Sequence, residues 1–505
     1  MKIALRADAS VQIGTGHVMR CLTLAAELRR RGHDCGFICR NFPGHLGQVI
    51  SDAGFDLVLL PAPTQDFHCG SNDPAHGAWA GMPWTTDAAQ TLAAAEDIDW
   101  LVVDHYAFDA RWEAAARSRR AKLMVIDDLA DRSHIADLLV DQNLGRCAMD
   151  YDDLLPKKTE RLIGPSYALL RPEFAILREA ALAGRVERED NVKTVLVSMG
   201  GVDRANATGA VLTALNEQPE LRVIVVMGAN APALDLIQAQ AAACSGRVEV
   251  IVNTPDMAGL MAKADLAIGA AGGTSWERCT LGLPTLVAVL ADNQTGAAVA
   301  LSAAGAAINI GSPQHSEFPT RILDALNSTR LSANLNALSR SAASITDGRG
   351  VARVADALEY PLALRCADMD DAEAIWNWRR ALPASHFGAG PSPHFDDHLS
   401  WFSGALGDTR RRLYVAGDPS IAHLRLDLEE TGCATVSIIL APEARGRGLG
   451  LRLLSLLSSA GRAEGLSSLT AKVHSENTAS ITLFRAAGYV ETDLISGFLG
   501  FKLTL

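Results

Sequence analysis

The chain has 505 residues, a length at which a single hydrophobic core stops growing, so we expect several domains. Hydrophobic residues make up 48% of it and charged residues 21%, which excludes a largely disordered chain. The net charge of −12 argues against nucleic acid or an anionic membrane surface as a partner. Any phosphate ligand must therefore be bound by backbone N–H groups and single basic residues.

The nine cysteines are scattered along the chain and contain no Cys-x-x-Cys pair. This pattern predicts free thiols in a reducing compartment, with neither a disulfide framework nor a zinc site. The N-terminus reaches charged residues at once and has no apolar core of a signal peptide. We therefore expect a cytoplasmic protein without a membrane span.

Short apolar runs alternate with helical patterns over the first 350 residues. The first series contains predicted strands at Lys2–Arg6, Cys35–Cys39, Leu57–Leu60, Trp100–Val103 and Leu123–Ile126, and helices at Val18–Arg31 and Glu173–Arg188. The series restarts with strands at Thr194–Ser198, Leu221–Met227, Leu266–Ile268, Thr285–Val289 and Ala307–Ile310, and a helix at Ala205–Leu215. Such alternation predicts parallel α/β sheets, here as two Rossmann-like lobes, 1–185 and 186–350, with a ligand cleft between them.

The composition changes near residue 340, where Ser339–Gly350 is rich in Ser, Ala and Gly. Pro361 then precedes a new predicted strand, Leu362–Arg365. We place a domain boundary there. Residues 362–505 follow another order: strand, helix, a Pro/Gly loop at Pro383–Pro393, hairpin-like strands, a Gly-rich turn with a helix, and a final strand–helix–strand. That order predicts an α+β domain.

A glycine-rich loop joins the first predicted strand to the first helix. Its polar and glycine positions are Arg6, Asp8, Gly14, Gly16, His17 and Arg20. Glycines let the backbone approach a ligand, and a helix N-terminus favours anions. His17 stands where the loop meets the helix, and histidine is the natural general base near neutral pH. The alternative is that His17 only caps the helix, but the cluster of polar residues favours a site.

Asp104 and Tyr106 follow the predicted buried strand Trp100–Val103, the expected position for site residues in an α/β sheet. The alternative is that Asp104 caps the next helix and Tyr106 packs in the core. The acids of Asp127-Asp128 and Asp141-Gln-Asn143 follow apolar runs in the same way, with a weaker indication of function.

The second series contains a turn of small residues after the strand Leu266–Ile268. Its residues are Gly272, Gly273, Thr274, Ser275 and Glu277, and Asn293 and Gln294 follow the next strand. Backbone N–H groups at a strand-to-helix turn can hold a phosphate, and a glutamate one turn later can accept hydrogen bonds from a ribose diol. The alternative is an ordinary tight turn with Ser275 as the helix cap.

The last region contains a second glycine-rich turn that opens a helix. Its residues are Arg445, Gly446, Arg447, Gly448 and Gly450, and Asn477 follows further on. Successive N–H groups, a helix dipole and two arginines suit a pyrophosphate. The alternative, a basic surface turn, leaves the order of the following elements unexplained.

The first 350 residues resemble the UDP-sugar hydrolases of pseudaminic acid biosynthesis, relatives of the GT-B glycosyltransferases. The matching segments are Arg6–Arg20, Asp104–Tyr106, Asp127-Asp128, Tyr167–Pro172, Gly200–Asp203 and Gly272–Glu277. The resemblance implies metal-free hydrolysis of UDP-2,4-diacetamido-2,4,6-trideoxy-β-L-altropyranose to the free sugar and UDP. It implies that His17 activates water, that Tyr106 lies at the sugar, and that Gly272, Gly273, Ser275 and Glu277 bind UDP.

The complete set of predicted site residues in the two lobes combines this resemblance with the motifs. Catalysis is assigned to His17, Tyr106, Asp8 and Asp104. Substrate binding is assigned to Arg6, Gly14, Gly16, Arg20, Gly272, Gly273, Thr274, Ser275, Glu277, Asn293 and Gln294.

Residues 362–505 resemble the GNAT acetyltransferases through Arg445-x-x-Gly448-x-Gly450 and Asn477–Ser480. This implies that acetyl-CoA is bound by Arg445, Gly446, Arg447, Gly448, Gly450 and Asn477. Trp376–Arg379 and His398–Phe402 are similar to members that acetylate amino groups on nucleotide-linked sugars. Many members have a tyrosine general acid where this chain has Phe484.

The sequence therefore predicts a bifunctional enzyme that acetylates the 4-amino group of a UDP-linked sugar and then removes UDP. One rival is a glycosyltransferase that uses the same UDP site with a sugar or lipid acceptor. Another is a silent sensor of sugar nucleotides, which is favoured if His17 and Tyr106 point away from the cleft.

Overall fold

The computed structural model describes residues 1–63, 67–186, 192–244, 246–329, 332–383, 393–417, 419–429 and 432–505. The chain divides into two compact units, Met1–Ala355 and Asp356–Leu505. The first unit contains two sheets and the second unit contains one. No helix in these described ranges is both long enough and apolar enough to cross a membrane.

A seven-stranded parallel sheet forms the first lobe of unit 1. Its strands are β1 (Lys2–Ala7), β2 (Asp34–Arg40), β3 (Asp56–Leu60), β4 (Trp100–Asp104), β5 (Lys122–Ile126), β6 (Leu138–Asp141) and β7 (Glu160–Ile163). The helices are α1 (Gly16–Arg30), α2 (Gly47–Asp52), α3 (Trp84–Ala94) and α4 (Ala110–Ala116). The strand order is β3-β2-β1-β4-β5-β6-β7.

The strand order of this sheet reverses between β1 and β4. β1 pairs with β2 on one side and with β4 on the other, where Ala7 lies opposite Asp104. All five residues of β4 are buried, as expected for an apolar run in the middle of a parallel sheet. The crevice beyond the carboxyl ends of β1 and β4 is the switch point at which such sheets bind ligands.

A six-stranded parallel sheet forms the second lobe. Its helices are α5 (Pro172–Val186), α6 (Ala207–Leu215), α7 (Leu234–Ala242), α8 (Met257–Lys263), α9 (Thr274–Thr280), α10 (Thr295–Ala303), α11 (Phe318–Thr329) and α12 (Ser332–Ile345). The next helix, α13 (Gly350–Glu359), contacts the first lobe, where Arg31 Nη2 donates to the Ala352 carbonyl at 3.1 Å. The strands of the second lobe are β8 (Thr194–Ser198), β9 (Arg222–Met227), β10 (Val248–Val252), β11 (Leu266–Ala270), β12 (Thr285–Ala288) and β13 (Ile308–Gly311). The order β10-β9-β8-β11-β12-β13 again has a switch point, here between β8 and β11.

Helix α5 connects the lobes and packs on the second one. Phe174 and Ala181 share a core cluster with Leu196 and Leu283. The Arg178 guanidinium donates to the carbonyl oxygens of Thr280, Ala343 and Thr346 at 2.6, 2.7 and 3.0 Å. The predicted border places this helix in the first lobe, whereas its packing places it on the second lobe.

The segment rich in Ser, Ala and Gly near residue 340 is mostly helical. Leu338 and Ala342 of α12 are buried. Gly282, at a φ of +57°, lies so close to α12 that an added Cβ would be 3.1 Å from Ser339 Oγ. The small residues therefore reflect close helix packing. The border between the compact units falls within α13, between the predicted ranges 186–350 and 362–505.

Unit 2 contains a seven-stranded mixed sheet with helices on its faces. Its strands are β14 (Leu364–Cys366), β15 (Arg411–Ala416), β16 (Ala422–Leu428), β17 (Cys433–Leu440), β18 (Ser468–His474), β19 (Val490–Ile495) and β20 (Phe498–Thr504). Its helices are α14 (Ala372–Arg380), α15 (Phe395–Leu406), α16 (Leu449–Ala463) and α17 (Thr478–Ala486). The predicted Pro/Gly loop between α14 and α15 lies mostly outside the described residues.

Strands β17 and β18 are parallel neighbours over a short distance only. Cys433–Thr435 pairs with Ser468–Thr470, and in the described part of these strands the pairing goes no further. β17 continues beside β16 up to Leu440, and β18 continues beside β20 up to His474. The two central strands therefore separate in the middle of the sheet, which leaves backbone groups of both available at that point.

The predicted fold class is confirmed: two Rossmann-like α/β lobes are followed by an α+β unit. Strand ends differ from the predicted ones by one or two residues, as they do between any two definitions of an element. The sequence pattern showed one helix before the hairpins of unit 2, whereas the structure has two, α14 and α15.

Replacement of Arg178 by methionine should destabilise unit 1. The change leaves three carbonyl groups without their donor, and an unsatisfied buried polar group costs about 1–3 kcal/mol. We expect a lower midpoint for unit 1 in differential scanning calorimetry. Ile176→Ala is the control, because Ile176 is 75% exposed on the same helix. An equal effect of both changes would contradict the assigned role.

Candidate functional site

His17 is the second residue of α1, directly beyond the carboxyl end of β1. The preceding loop is held by Ser10, whose hydroxyl accepts from the backbone N–H of Ile13 at 2.9 Å. Gly14 has a φ of +83°, a conformation that favours glycine, and its N–H donates to the Ser10 carbonyl. Gly16 begins the helix. This local structure directs the His17 imidazole toward the end of β4.

Asp104, the last residue of β4, is the partner of His17. Its Oδ1 lies 2.6 Å from His17 Nδ1, and Arg20 reaches Oδ2 with Nε at 2.5 Å and Oδ1 with Nη2 at 2.6 Å. Burial alone would raise the pKa of Asp104, but the charges and hydrogen bonds of Arg20 and His17 hold it well below its usual range. The carboxylate is therefore ionised and accepts the Nδ1 proton of His17, which leaves Nε2 as the basic nitrogen.

Tyr106 completes this cluster. Its hydroxyl donates to Asp128 Oδ2 at 2.8 Å, and Arg20 Nη1 binds the same oxygen at 2.5 Å. The Tyr106 ring meets the His17 ring edge-on, with centroids 4.6 Å apart. Burial and the nearby Asp128 raise the pKa of Tyr106 well above its usual value, so the phenol stays protonated. The structure thus brings His17, Arg20, Asp104 and Tyr106 together.

Arg6 and Asp8 lie beneath this cluster, fully buried in and just after β1. Arg6 forms ion pairs with Asp8 at 2.7 Å and with Asp87 at 2.9 Å, and Asp87 also pairs with Arg40. Asp8 accepts the backbone N–H of Arg40 at 2.6 Å. These contacts give Arg6 and Asp8 a supporting position, and their direct contact with substrate stays a prediction. The pattern of the sequence did not reveal Asp87, which comes from α3, far along the chain.

Asp141 lies at the end of β6, beside the same cluster. It accepts from the Tyr151 hydroxyl at 2.9 Å and from the backbone N–H of Asn143 at 2.8 Å. Burial, with the charge of Asp128 added, raises the pKa of Asp141 to about 7. Ionisation of this carboxyl group is therefore unfavourable in the folded protein.

The turn after β11 is the corresponding feature of the second lobe. In the described chain, the backbone N–H groups of Gly272 and Gly273 donate to no protein acceptor, whereas the N–H of Ser275 donates to the Gly272 carbonyl. The side chain of Gln294 approaches Gly272, so the turn and the segment after β12 lie together. Asn293 is exposed beside it. The arrangement offers free donors to an anion.

Arg278 is a residue of this turn that the sequence analysis missed. It is 2% exposed, and its guanidinium donates to the Ala270 carbonyl at 2.7 Å, to Ser275 Oγ at 3.0 Å and to Thr274 Oγ1 at 3.1 Å. Burial lowers the pKa of this arginine to about 10. The Ser275 hydroxyl is thus bound inside the protein, and a buried cation shapes the turn from behind.

Glu277 is half-buried and receives no hydrogen bond from any described residue. Burial raises the pKa of its carboxyl group to about 7, although the charges of Arg171 and Arg278 oppose the shift. A desolvated acid without a protein donor in a cleft is typical of a ligand-binding group.

The two lobes meet near these features. A Cβ added to Gly201, in the loop after β8, would lie 3.9 Å from Thr15 Oγ1 in the loop before His17. An added Cβ at Gly145 in the first lobe would lie 3.2 Å from the methyl group of Ala300. The loops at the two switch points therefore border a common cleft.

The glycine-rich turn of unit 2 precedes α16. Gly446 and Gly448 have φ angles of +75° and +74°, and an added Cβ on Gly450 would lie 2.8 Å from Leu483. Arg445 donates to the carbonyls of Leu440, Ala381 and Trp378, so its guanidinium holds the turn to α14. Free backbone N–H groups, more than this guanidinium, are what the turn offers a phosphate.

The other predicted residues of the unit 2 turn have protein contacts as well. Arg447 is exposed and lies over the Tyr360 ring at 5.6 Å. The Asn477 amide oxygen accepts the Ser480 N–H and caps α17. Phe484 is buried, stacked on Phe501 and edge-on to Tyr489.

Within the described ranges, His, Cys, Asp and Glu side chains form no group of three or more that could hold a metal ion. The expectation that hydrolysis needs no metal remains a prediction.

Comparison with known proteins supports the assignment of both parts. Residues 194–356 match the C-terminal domain of glycosyltransferase family 28, and residues 373–489 match the GNAT acetyltransferase family. The predicted resemblance is confirmed. The chain joins a two-lobed α/β unit, whose second lobe matches the glycosyltransferase family 28 model, to a unit that matches the GNAT model.

Three curated relatives each match part of the chain. A UDP-2,4-diacetamido-2,4,6-trideoxy-β-L-altropyranose hydrolase of Campylobacter jejuni is 26% identical over 53% of this chain and 84% of its own length. The spore coat polysaccharide biosynthesis protein SpsG of Bacillus subtilis is 29% identical over 39% of this chain and 57% of its own. An uncharacterised protein of Methanocaldococcus jannaschii is 26% identical over 57% of this chain. The chain spans 55% of that last protein.

Among solved structures, MurG of Acinetobacter baumannii is similar over 71% of this chain and 98% of its own length. The TM-score is 0.50 and the identity 17%, which shows the two-lobed fold alone.

Substitution of Asp141 by asparagine should stabilise the protein in a pH-dependent way. In the wild type, the folded-state pKa lies above the unfolded value, so stability falls as the pH rises from about 4 to 7. The asparagine side chain of the variant cannot ionise and keeps an acceptor for Tyr151. The stability difference in favour of the variant should grow by about 4 kcal/mol over this range and then stay constant. Thermal midpoints at several pH values measure it, and a constant difference from pH 4 to 8 would refute the shift.

Proposed function

We propose that unit 1 hydrolyses UDP-2,4-diacetamido-2,4,6-trideoxy-β-L-altropyranose to the free sugar and UDP. The observation that carries this proposal is the His17–Asp104 pair at the first switch point, with Nε2 of His17 left as a base. The resemblance to the C. jejuni hydrolase supplies the substrate. We further propose that unit 2 uses acetyl-CoA to acetylate the 4-amino group of the UDP-linked precursor, and that both reactions take place in the cytoplasm.

In the proposed hydrolysis, a water molecule attacks the anomeric carbon. The new bond joins the water oxygen to this carbon, and the bond from the carbon to the phosphate oxygen breaks. His17 Nε2 accepts the proton, and Asp104 stabilises the resulting imidazolium because its carboxylate already binds Nδ1–H. UDP departs as an anion. The phenol of Tyr106, fixed by Asp128, lies beside the base.

The second lobe retains UDP in this proposal. The free N–H groups of Gly272 and Gly273 can donate to the phosphates. Glu277, which receives no hydrogen bond from the described protein, can accept hydrogen bonds from the ribose hydroxyls. A hydrolase needs no acceptor besides water. UDP release in the absence of any sugar or lipid acceptor therefore separates the proposal from a glycosyltransferase.

In unit 2, the turn at 446–450 and the gap between β17 and β18 would hold acetyl-CoA, which supplies the acetyl group as a thioester. The match to the GNAT family supports this use. Phe484 has no proton to give, so the thiolate would leave without the usual tyrosine acid. Since a free thiol has a pKa of about 8.5, such a departure is possible near neutral pH at a reduced rate.

Removal of the base should abolish most UDP release. We expect His17→Ala to lower kcat by about 10²–10⁴-fold and Asp104→Asn to lower it as well, because the amide no longer fixes the tautomer or stabilises the imidazolium. A coupled assay for UDP measures the rates. His315→Ala, at an exposed position, is the matched control. Near-normal turnover by a folded His17→Ala protein would exclude His17 as the base.

Glu277 should make UDP binding dependent on pH. With a pKa of about 7, its carboxyl group loses its proton as the pH rises from 6 to 8, and both oxygens can then accept hydrogen bonds. UDP affinity should therefore increase over that range by more than the ionisation of UDP itself causes. Glu277→Gln should bind UDP more weakly and lose this excess pH dependence. Calorimetry on both proteins gives the comparison, and identical pH profiles would argue against contact between Glu277 and the nucleotide.

Gly448 should contribute to the binding of acetyl-CoA. Alanine at a φ of +74° is strained by about 1–2 kcal/mol and shifts the N–H groups of the turn. Gly465 offers a matched control, because its φ is +77° and an added Cβ meets no atom within 4 Å at either position. We expect Gly448→Ala, and not Gly465→Ala, to weaken acetyl-CoA binding about tenfold in calorimetry. Equal affinities in the two variants would contradict the proposed site.

A further inference from the structure

An aromatic cluster adjoins the catalytic pair in the first lobe. Trp79 stacks on Tyr106 with ring centroids 5.7 Å apart, and it meets His17 edge-on at 6.5 Å. The His76 ring lies 4.7 Å from Trp79 and 5.6 Å from Tyr106. The cluster therefore extends the polar site by two rings that come from the segment between β3 and α3.

These two rings are held in a defined position. Trp79 belongs to a single 3₁₀ turn, Gly77–Ala80, whose first and last residues are buried. A Cβ on Gly77 would lie 2.9 Å from Cys69 Sγ, and Gly81 has a φ of +70° and lies tightly against Phe42. Such close packing fixes the backbone on both sides of the Trp79 ring.

A second anchor holds the same segment from the opposite end. Arg111 of α4 donates to the Asn72 carbonyl at 2.9 Å and lies over the Trp84 ring at 5.5 Å. The segment is thus tied to the helix that follows β4, the strand that carries Asp104. The rings of this segment therefore keep a fixed position relative to His17.

The His76 and Trp79 rings also have exposed surface that a ligand can contact. His76 and Trp79 are partly exposed, unlike the residues of the network beneath them. In the described chain, neither the Trp79 indole N–H nor the His76 ring has a hydrogen-bond partner. An apolar face with unused polar edges is the usual lining of a pocket for a small molecule.

The proposed substrate suits an aromatic wall. A 2,4-diacetamido-2,4,6-trideoxy sugar carries three methyl groups, one at C6 and two on the acetamido groups, and has few hydroxyls. Burial of apolar area against an indole ring is favourable, and amide N–H and C=O groups can bond to the polar edges of His76 and Trp79.

We propose that Trp79, with His76 beside it, forms the wall of the sugar subsite and binds the methyl-bearing face of the sugar next to His17. This inference rests on the proposed hydrolase function. Trp79 is a binding residue in it and takes no part in proton transfer. Trp79 contributes to the binding of the sugar and not to the binding of UDP.

The test compares Trp79→Leu and Trp79→Phe with the wild type, using UDP-2,4-diacetamido-2,4,6-trideoxy-β-L-altropyranose as substrate and UDP as inhibitor. Trp79→Leu should raise KM about tenfold or more, and Trp79→Phe less, because an aromatic face is retained. The UDP inhibition constant and the pH profile of kcat should stay unchanged. Leu92→Ala is the control, since Leu92 is 38% exposed on α3, the helix that follows the segment, and belongs to neither anchor.

Equal KM values for Trp79→Leu and the wild type would overturn the proposal. So would a parallel loss of UDP affinity, or an equal effect of Leu92→Ala, since either indicates a structural role. Calorimetry separates this failure from that of the proposed function. A wild type that binds the UDP-sugar more tightly than UDP without hydrolysing it would refute hydrolysis, and loss of that difference in Trp79→Leu would still support the wall.

Discussion

The site of the first lobe depends on one buried charge, the carboxylate of Asp104. Burial favours its neutral form, yet Arg20 and His17 contact both oxygens and keep it ionised. The ionised form sets the tautomer of His17, and Arg20 extends the network to Asp128, which in turn fixes Tyr106. Groups that follow β1, β4 and β5 are therefore oriented by one connected set of ion pairs, to which all three segments contribute.

A second group of buried charged residues supports the network around Asp104. Arg6 and Arg40 share Asp87, and Asp8 binds both Arg6 and the backbone of β2. Because these groups are fully buried, loss of one partner would leave an uncompensated charge, which is strongly destabilising. This second group therefore holds the ends of β1 and β2 in place. The network around Asp104 can then present polar groups to a cleft without loss of rigidity.

Sequence reasoning found the residues that follow strands, because the carboxyl ends of parallel strands meet at one edge and the strands are readable as apolar runs. It therefore identified His17, Asp104 and Tyr106 as neighbours. It could not place Asp87 or Trp79, since their positions depend on the packing of a helix and a turn against distant strands. For the same reason the engagement of Arg445 with backbone carbonyls, and the burial of Arg278 behind its turn, were not evident from the motifs that contain them.

The two predicted phosphate sites use arginine in the same indirect way. Arg278 holds three oxygens of the turn after β11, and Arg445 holds three carbonyls around the turn before α16. In each case the guanidinium bonds are made to backbone and hydroxyl groups, so the donors left for an anion are N–H groups of glycines. In a chain with a net charge of −12, this arrangement provides local positive potential at a fixed turn without a basic surface that would attract other polyanions.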